Sequence, residues 1–207
     1  MKIEPIVVGA LETNCYIVRG EGSSALVIDP GADPDCILQV LDKAKLNVAA
    51  YLITHAHTDH ISALAEVADV RPAPIAMHGD DLRWAYGPLN AMPPFYPAPK
   101  RPLSAKDRVI RHSEEYQDAG LKCRVLHTPG HSPGSVCFHF PDQNTLFSGD
   151  TLFAGSVGRT DLPGGDLELL SQSLADLRRL PPDTAIYPGH GPSTTLRAEL
   201  ESNPFLA

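Results

Sequence analysis

A chain of 207 residues that is 43% hydrophobic can bury a substantial core as one domain. Its formal net charge of −8 argues against a nucleic-acid partner, which selects a basic face, and no apolar run approaches the about 18 residues of a membrane-spanning helix. Cys15, Cys36, Cys123 and Cys137 lack paired spacing and the first residues form no secretory leader, so a reducing, cytoplasmic setting without membrane association is expected.

In chain order, residues 3–8, 15–18 and 26–28 are apolar runs separated by turn signals and read as successive strands. Asp33-Pro34 opens a helix, with Asp33 as cap and Pro34 in the first turn, where its missing N–H costs nothing. Ile37, Leu38 and Leu41 give that helix one apolar face. The run Ala50-Tyr51-Leu52-Ile53 leads into Thr54-His55-Ala56-His57-Thr58-Asp59-His60, and a second helix is expected over 61–68. Between residues 87 and 102, Pro88, Pro93, Pro94, Pro97, Pro99 and Pro102 exclude helix interior and central strand. That stretch reads first as a stiff surface connection, and second as a loop over an active-site mouth with Phe95 or Tyr96 touching substrate. Further on, Val125-Leu126, Thr145-Leu146-Phe147 and Ala185-Ile186-Tyr187 are strand-like runs ending in Gly-containing turns that carry His131, Asp150 and His190. A third helix is expected over 166–180, with Leu167, Leu170, Leu174 and Leu177 on one stripe, and a last one over 192–200. Strands and helices mix through both halves without a boundary or repeat, so residues 1–207 read as one mixed α/β domain.

Three imidazoles and a carboxylate packed into residues 55–60 have no use in a core, because each costs free energy to bury. A metal site uses them, since neutral imidazole and carboxylate suit zinc, iron and manganese. In extended backbone, residues two apart share a side, so His55 and His57 can converge on one ion. A helix starting near Asp59 turns Asp59 and His60 toward a second point. With His131, Asp150 and His190 the candidate donors number seven, more than one tetrahedral ion with an open position takes and enough for two ions sharing a carboxylate. The other histidines are not needed. His78 and His139 read as sheet residues, His112 as solvated, and His127 as at most a support behind the His131 turn.

His-x-His-x-Asp-His at 55–60, Gly130-His131-Ser132-Pro133-Gly134, Ser148-Gly149-Asp150-Thr151-Leu152-Phe153 and Pro188-Gly189-His190, in this order, resemble the metallo-β-lactamase superfamily. The stretch from Gly149 to Arg159 narrows the resemblance to glyoxalase II-like (hydroxyacylglutathione hydrolase-like) hydrolases. The resemblance implies a four-layer αββα sandwich with metals at one edge of the sheets. It implies that His55, His57 and His131 hold one divalent ion, that Asp59, His60 and His190 hold a second, and that Asp150 bridges them. Zinc is expected first, with iron or manganese as alternatives. The implied activity is a binuclear thioester hydrolase acting on a small molecule such as S-lactoylglutathione. Water deprotonated between the ions attacks the carbonyl, and Asp59 orients that water and carries its proton. Arg159 stands at the family's basic substrate-binding position.

Departures from the pattern bear on the substrate. Asp161 stands where the family's tyrosine is expected, and Gly189-His190-Gly191-Pro192 puts Pro192 in place of a second tyrosine. With Ala207 as the last residue, the helical extension that completes the glutathione pocket in full-length relatives is not expected. The run from Gly158 to Gly165 is instead similar to a shorter bacterial branch, so the core chemistry carries over more firmly than glutathione recognition. A competing activity, that of a mononuclear iron persulfide dioxygenase, shares Gly158-Arg159-Thr160-Asp161 and resembles this chain at His55, His131 and Asp150. Metal count separates the two: one iron with oxygen consumed, or two ions with a thioester cleaved. A β-lactam hydrolase would be expected to show a zinc-ligating cysteine and a secretion leader, and a non-catalytic scaffold to have lost ligands.

Overall fold

The computed structural model describes residues 1–206. β1 (Lys2–Val8), β2 (Thr13–Arg19) and β3 (Ser24–Ile28) form an antiparallel meander. Successive side chains in it bury themselves on opposite faces, which decides the layering. Helix α1 (Pro34–Lys43) leads to β4 (Asn47–Leu52), and α2 (Thr58–Ile61) and α3 (Leu64–Val70) lead to β5 (Pro74–His78). A short α4 (Gly79–Leu82) and the Pro-rich segment then reach β6 (Lys106–Ile110). β3 to β6 pair in parallel, completing a six-stranded sheet in the order β1-β2-β3-β4-β5-β6.

The second half builds a matching sheet. β7 (Glu115–Asp118), β8 (Leu121–His127), β9 (Val136–Phe140) and β10 (Thr145–Gly149) precede a small hairpin of β11 (Leu152–Phe153) and β12 (Ser156–Val157). Helix α5 (Leu167–Leu177), β13 (Ala185–Pro188), β14 (Thr194–Thr195) and α6 (Leu196–Ser202) follow. The sheet order is β14-β13-β10-β9-β8-β7. Along β2 and β3, Cys15, Ile17, Ala25 and Val27 pack against Ile37 and Leu41 of α1 and Leu64 and Val67 of α3. The intervening Tyr16, Val18, Leu26 and Ile28 face the second sheet, meeting Phe138, Phe140 and Phe147. The outer face of that second sheet, with Cys137, Leu146 and Ile186, is covered by Leu170, Leu174 and Leu177 of α5 and Leu196 of α6. The layers are therefore α, β, β, α, as the resemblance implies. Each fully buried phenylalanine between the sheets contributes about 1.5–3 kcal/mol of burial free energy.

Local differences from the sequence expectations have local causes. Pro34 opens α1, but Asp33 does not cap it: its backbone is left-handed (φ 50°) and its carboxylate accepts from Gly9 N–H at 2.8 Å instead. The helix expected over 61–68 is two, because Ala63 N–H bonds Pro30 O at 3.1 Å, outside the helix. Asp166 caps α5 through Glu168 and Leu169 N–H at 2.9 and 3.0 Å. The stripe holds for Leu170, Leu174 and Leu177, while Leu167, the first helical residue, is 63% exposed and outside the cluster. The last helix starts only at Leu196, since Thr194 and Thr195 pair with β13 as an edge strand. Among the described residues no helix is long and apolar enough to cross a membrane.

Candidate metal centre

Topology brings the polar turns together. β8 and β10 are both antiparallel to β9, and β13 is parallel to β10, so these strands run the same way. Their C-terminal ends open at one edge of the second sheet and deliver His131, Asp150 and His190. From the first sheet, the ends of the parallel strands β3 and β4 deliver Asp29 and the segment from His55 to His60. Bonds between the sheets join the two edges: Val136 N–H to Thr54 O at 2.8 Å, Asn14 N–H to Gly189 O at 2.7 Å, and the Tyr16 hydroxyl to Pro188 O at 2.6 Å.

All seven sequence-predicted donors meet there. Ligand atoms of His55, His57 and His131 lie within 4.8 Å of one another, as do those of His55, His60 and Asp150, and those of Asp59, His60 and His190. His57 Nδ1 is 2.8 Å from His131 Nε2, and His60 Nε2 is 3.4 Å from His190 Nε2. Asp59 Oδ2 is 3.2 Å from His190 Nε2 and 3.5 Å from His60 Nε2. Asp150 stands between the groups. Its Oδ2 lies 3.5 Å from Nε2 of both His131 and His190, and its Oδ1 3.3 Å from His60 Nε2.

Four imidazoles are held from behind. His60 Nδ1 meets Asp29 Oδ2 at 3.0 Å, His55 Nδ1 meets Thr54 Oγ1 at 3.1 Å, His131 Nδ1 meets Arg159 O at 2.8 Å, and His190 Nδ1 meets Leu11 O at 3.0 Å. Their Nε2 atoms are left for the centre, the arrangement that outer partners give metal-ligating histidines. His55 Nε2 and Asp150 Oδ1 are buried without a hydrogen-bond partner. Native folds seldom leave buried polar atoms bare, and bare donors converging on one point suit a cation. The residues present fit two divalent ions.

Electrostatics agrees. Burial, reinforced by His60 and His131, drives the His55 pKa well below its ordinary value, and burial with His131 takes His57 down to about 4. Both imidazoles are therefore neutral at neutral pH, as ligation requires. Burial also opposes charge on His60, but the flanking Asp59 and Asp150 outweigh it and raise its pKa. Burial resists ionisation of Asp59 and Asp150 too, yet His60 holds both carboxyls below their ordinary range. The two carboxylates therefore stay ionised where the ring nitrogens converge.

Three residues outside the motifs complete the frame. Asp29 is 2% exposed and accepts from Thr54 N–H at 2.8 Å and Thr54 Oγ1 at 2.5 Å, besides facing His60. Asp81 accepts from Ala56 N–H at 2.9 Å and from Ser132 Oγ and Gly134 N–H, each at 2.7 Å, tying the histidine segment to the His131 turn. Thr13 Oγ1 donates to Asp59 Oδ2 at 3.1 Å. Asp29 ends an apolar strand and precedes Pro30-Gly31, the same grammar as the other donors, and is detectable on that signal. Asp81 and Thr13 carry no such mark. Close approach also dictates Gly189, where a Cβ would lie 2.1 Å from Asp150 Oδ1 and 2.7 Å from His60 Cε1. Gly189→Ala is expected to bring bound metal below two ions per chain by elemental analysis, with metal affinity down roughly 10–100-fold, the size of a disturbed ligand support.

Other sequence candidates are placed differently. The Arg159 guanidinium is exposed and pairs with Asp161 through Nε–Oδ1 at 2.6 Å and Nη2–Oδ2 at 2.7 Å, pulling the Asp161 carboxyl down to about 2. What Arg159 gives the centre is its backbone carbonyl, behind His131. His78, Asp80 and His127 form a separate group of donors. There His78 Nδ1 accepts from Asp80 N–H at 3.3 Å, His127 Nε2 meets Pro133 O at 2.9 Å, and the two rings stack at 4.2 Å. The Pro-rich segment is more than a connection. Asn90 Nδ2 donates to Ala56 O at 2.6 Å and Thr58 Oγ1 donates to Pro97 O at 3.3 Å, so the segment clasps the histidine loop. Tyr96 is buried, its hydroxyl accepting from Leu11 N–H at 3.4 Å, and Phe95 is 60% exposed.

Residues 8–190 match the model of the metallo-beta-lactamase superfamily. The "Probable metallo-hydrolase YqgX" of Bacillus subtilis is 37% identical over all of this chain and 98% of its own length. Hydroxyacylglutathione hydrolase GloC of Haemophilus influenzae is 33% identical with the same coverage. The crystal structure of TTHA1623 in a di-iron-bound form aligns with a TM-score of 0.87 and 42% identity, over 98% of this chain and 100% of that one. The family model spans most of the chain and the relatives match over its full length, so the chain belongs to the metallo-beta-lactamase superfamily.

Proposed function

We propose that the protein is a metal-dependent hydrolase of small-molecule thioesters, of which S-lactoylglutathione is the reference case, working with two divalent ions. The observation that supports this most is the reach of Asp150 to both groups of imidazoles. His55, His57 and His131 would hold one ion, Asp59, His60 and His190 the other, and Asp150 both. Zinc suits this imidazole and carboxylate set, and iron is the metal of the TTHA1623 structure. The GloC relative supports the substrate class. When bound, such ions would lower the pKa of their bound water to near neutral and polarise a carbonyl oxygen.

The chain's own groups do the rest. Asp59, kept ionised beside His60 and oriented by Thr13 Oγ1, accepts at its carboxylate the proton of the attacking water. A thiolate leaves without a strong general acid, so none is needed opposite it. Two of the buried cysteines are unsuited as nucleophiles: burial pushes the Cys123 thiol up to about 12 and the Cys137 thiol up to about 11, far from the reactive thiolate range.

Thiol release from S-lactoylglutathione by the metal-loaded protein tests the reading. It is expected to proceed equally with and without oxygen and to stop on chelation. Absence of thiol release, with oxygen consumed on a persulfide substrate, would establish the mononuclear iron dioxygenase instead. Because Asp161 occupies Arg159, Asp161→Ala is expected to lower the KM for S-lactoylglutathione about two- to fivefold with kcat unchanged, the size of an exposed ion-pair contact.

A further inference from the structure

A cavity of about 540 Å³ opens directly beside the centre, with His57, Trp84, Leu89, Met92, Leu162 and Pro163 in its lining. Its size is that of a small-molecule pocket. None of its lining residues is Lys, Arg, Asp or Glu. Two of the polar groups that line it, the Asn90 amide nitrogen and the Thr58 hydroxyl, are engaged inside the protein. Asn90 gives its amide to Ala56 O and to Ala85 O at 2.7 Å, and Thr58 Oγ1 is engaged by Ser62 Oγ at 3.0 Å and Pro97 O. Trp84 sets its ring 5.5 Å from that of His57, joining the apolar wall to a candidate ligand. Leu89 is 99% exposed at this cavity, a large aliphatic side chain held in water where a ligand would cover it.

Resting on the thioesterase reading, we infer that this cavity seats an uncharged apolar arm of the substrate, a medium-length alkyl or aryl group, rather than the glutathione arm. Glutathione carries two carboxylates. Brought into this cavity they would shed water with no cation to replace it, a cost that apolar walls cannot offset. Arg159 does not line the cavity and is committed to Asp161. An alkyl chain meets no such penalty and gains by burial against Trp84, Met92 and Leu162.

Trp84 is the single tryptophan of the chain, so its emission reports occupancy without any turnover. The metal-loaded protein would be titrated with S-hexyl-N-acetylcysteamine, a thioether that cannot be hydrolysed, and with its S-methyl counterpart and S-methylglutathione. The hexyl compound is expected to change Trp84 emission saturably and to bind at least about tenfold tighter than S-methyl-N-acetylcysteamine, the gain from burying about two methylenes. S-methylglutathione is expected to bind no tighter than S-methyl-N-acetylcysteamine. Leu89→Asp, at a side chain outside the core, and Leu162→Asp should each abolish the hexyl preference. Equal affinity of hexyl and methyl compounds, or tighter binding of S-methylglutathione, would overturn the inference and leave thioester hydrolysis standing. Tight hexyl binding by a protein that cleaves neither hexanoyl- nor acetyl-N-acetylcysteamine would uphold the cavity's preference and overturn the hydrolase reading.

Discussion

Asp150→Ala is expected to strip the protein of bound metal and of activity together. The side chain lies within 3.5 Å of three imidazole nitrogens drawn from both groups, so on the proposed two-ion reading its loss takes a donor from each ion. It also removes half of the carboxylate charge at the centre. Metal activation of water and of a carbonyl is worth several kcal/mol, so kcat/KM should fall at least about a thousandfold, roughly 4 kcal/mol at 1.36 kcal/mol per tenfold. The fold should survive, because Asp150 Oδ1 makes no hydrogen bond that the packing relies on. A metal-free variant that still unfolds in one cooperative transition, its midpoint lowered by the lost pairing with His60, with metal content near zero, is the expected pair of results. Two ions retained with full turnover would show that Asp150 is not the bridge.

Asp29 yields a second large effect that separates support from structure. In Asp29→Ala, the Thr54 N–H and hydroxyl lose their buried acceptor and His60 loses the group that aims it. An orphaned buried donor costs about 1–3 kcal/mol. Asp29 also has φ 49°, a left-handed conformation that costs alanine about 1–2 kcal/mol more. At roughly 2–4 °C per kcal/mol for a chain of this size, the thermal midpoint of the metal-free protein should drop by about 5–15 °C. Asp29→Asn should behave differently. Asparagine tolerates the backbone and can still accept from Thr54 N–H. Its amide N–H would then face His60 Nδ1, which must become the acceptor and place the ring proton on Nε2, the wrong tautomer for a ligand. The asparagine variant should therefore keep most of its thermal stability while losing roughly 10–100-fold in metal affinity by competitive chelation. Equal metal affinity in the wild type and the asparagine variant would remove Asp29 from its positioning role.

The candidate site is more legible in this sequence than the fold that carries it. Zinc and iron centres of this kind draw their donors from His, Asp, Glu and Cys, and His55, His57, Asp59 and His60 crowd into a segment where packing has no use for them. His131, Asp150 and His190 add strand-end placement, which marks them against histidines such as His139 inside β9. Asp81 and Thr13 stay hidden, since one buried aspartate or threonine looks like any other until the loops it joins are seen. Helix ends are read less well for the same reason. The break between α2 and α3 comes from Pro30 O, and the exposure of Leu167 from where α5 meets the sheet, neither of which is a local property. The Pro-rich segment shows the limit most clearly. Its prolines exclude regular structure, but only the fold reveals that Asn90 clasps Ala56 and that Met92, rather than Phe95, lines the cavity.

Anomalous diffraction from crystals of the metal-loaded protein tests the central claim most directly. Two peaks about 3.5–4 Å apart are predicted. One should lie among His55, His57 and His131 and the other among Asp59, His60 and His190, with an Asp150 oxygen in bonding range of each. A single peak held by His55, His131 and Asp150, with His190 and Asp59 unengaged under saturating metal, would contradict it.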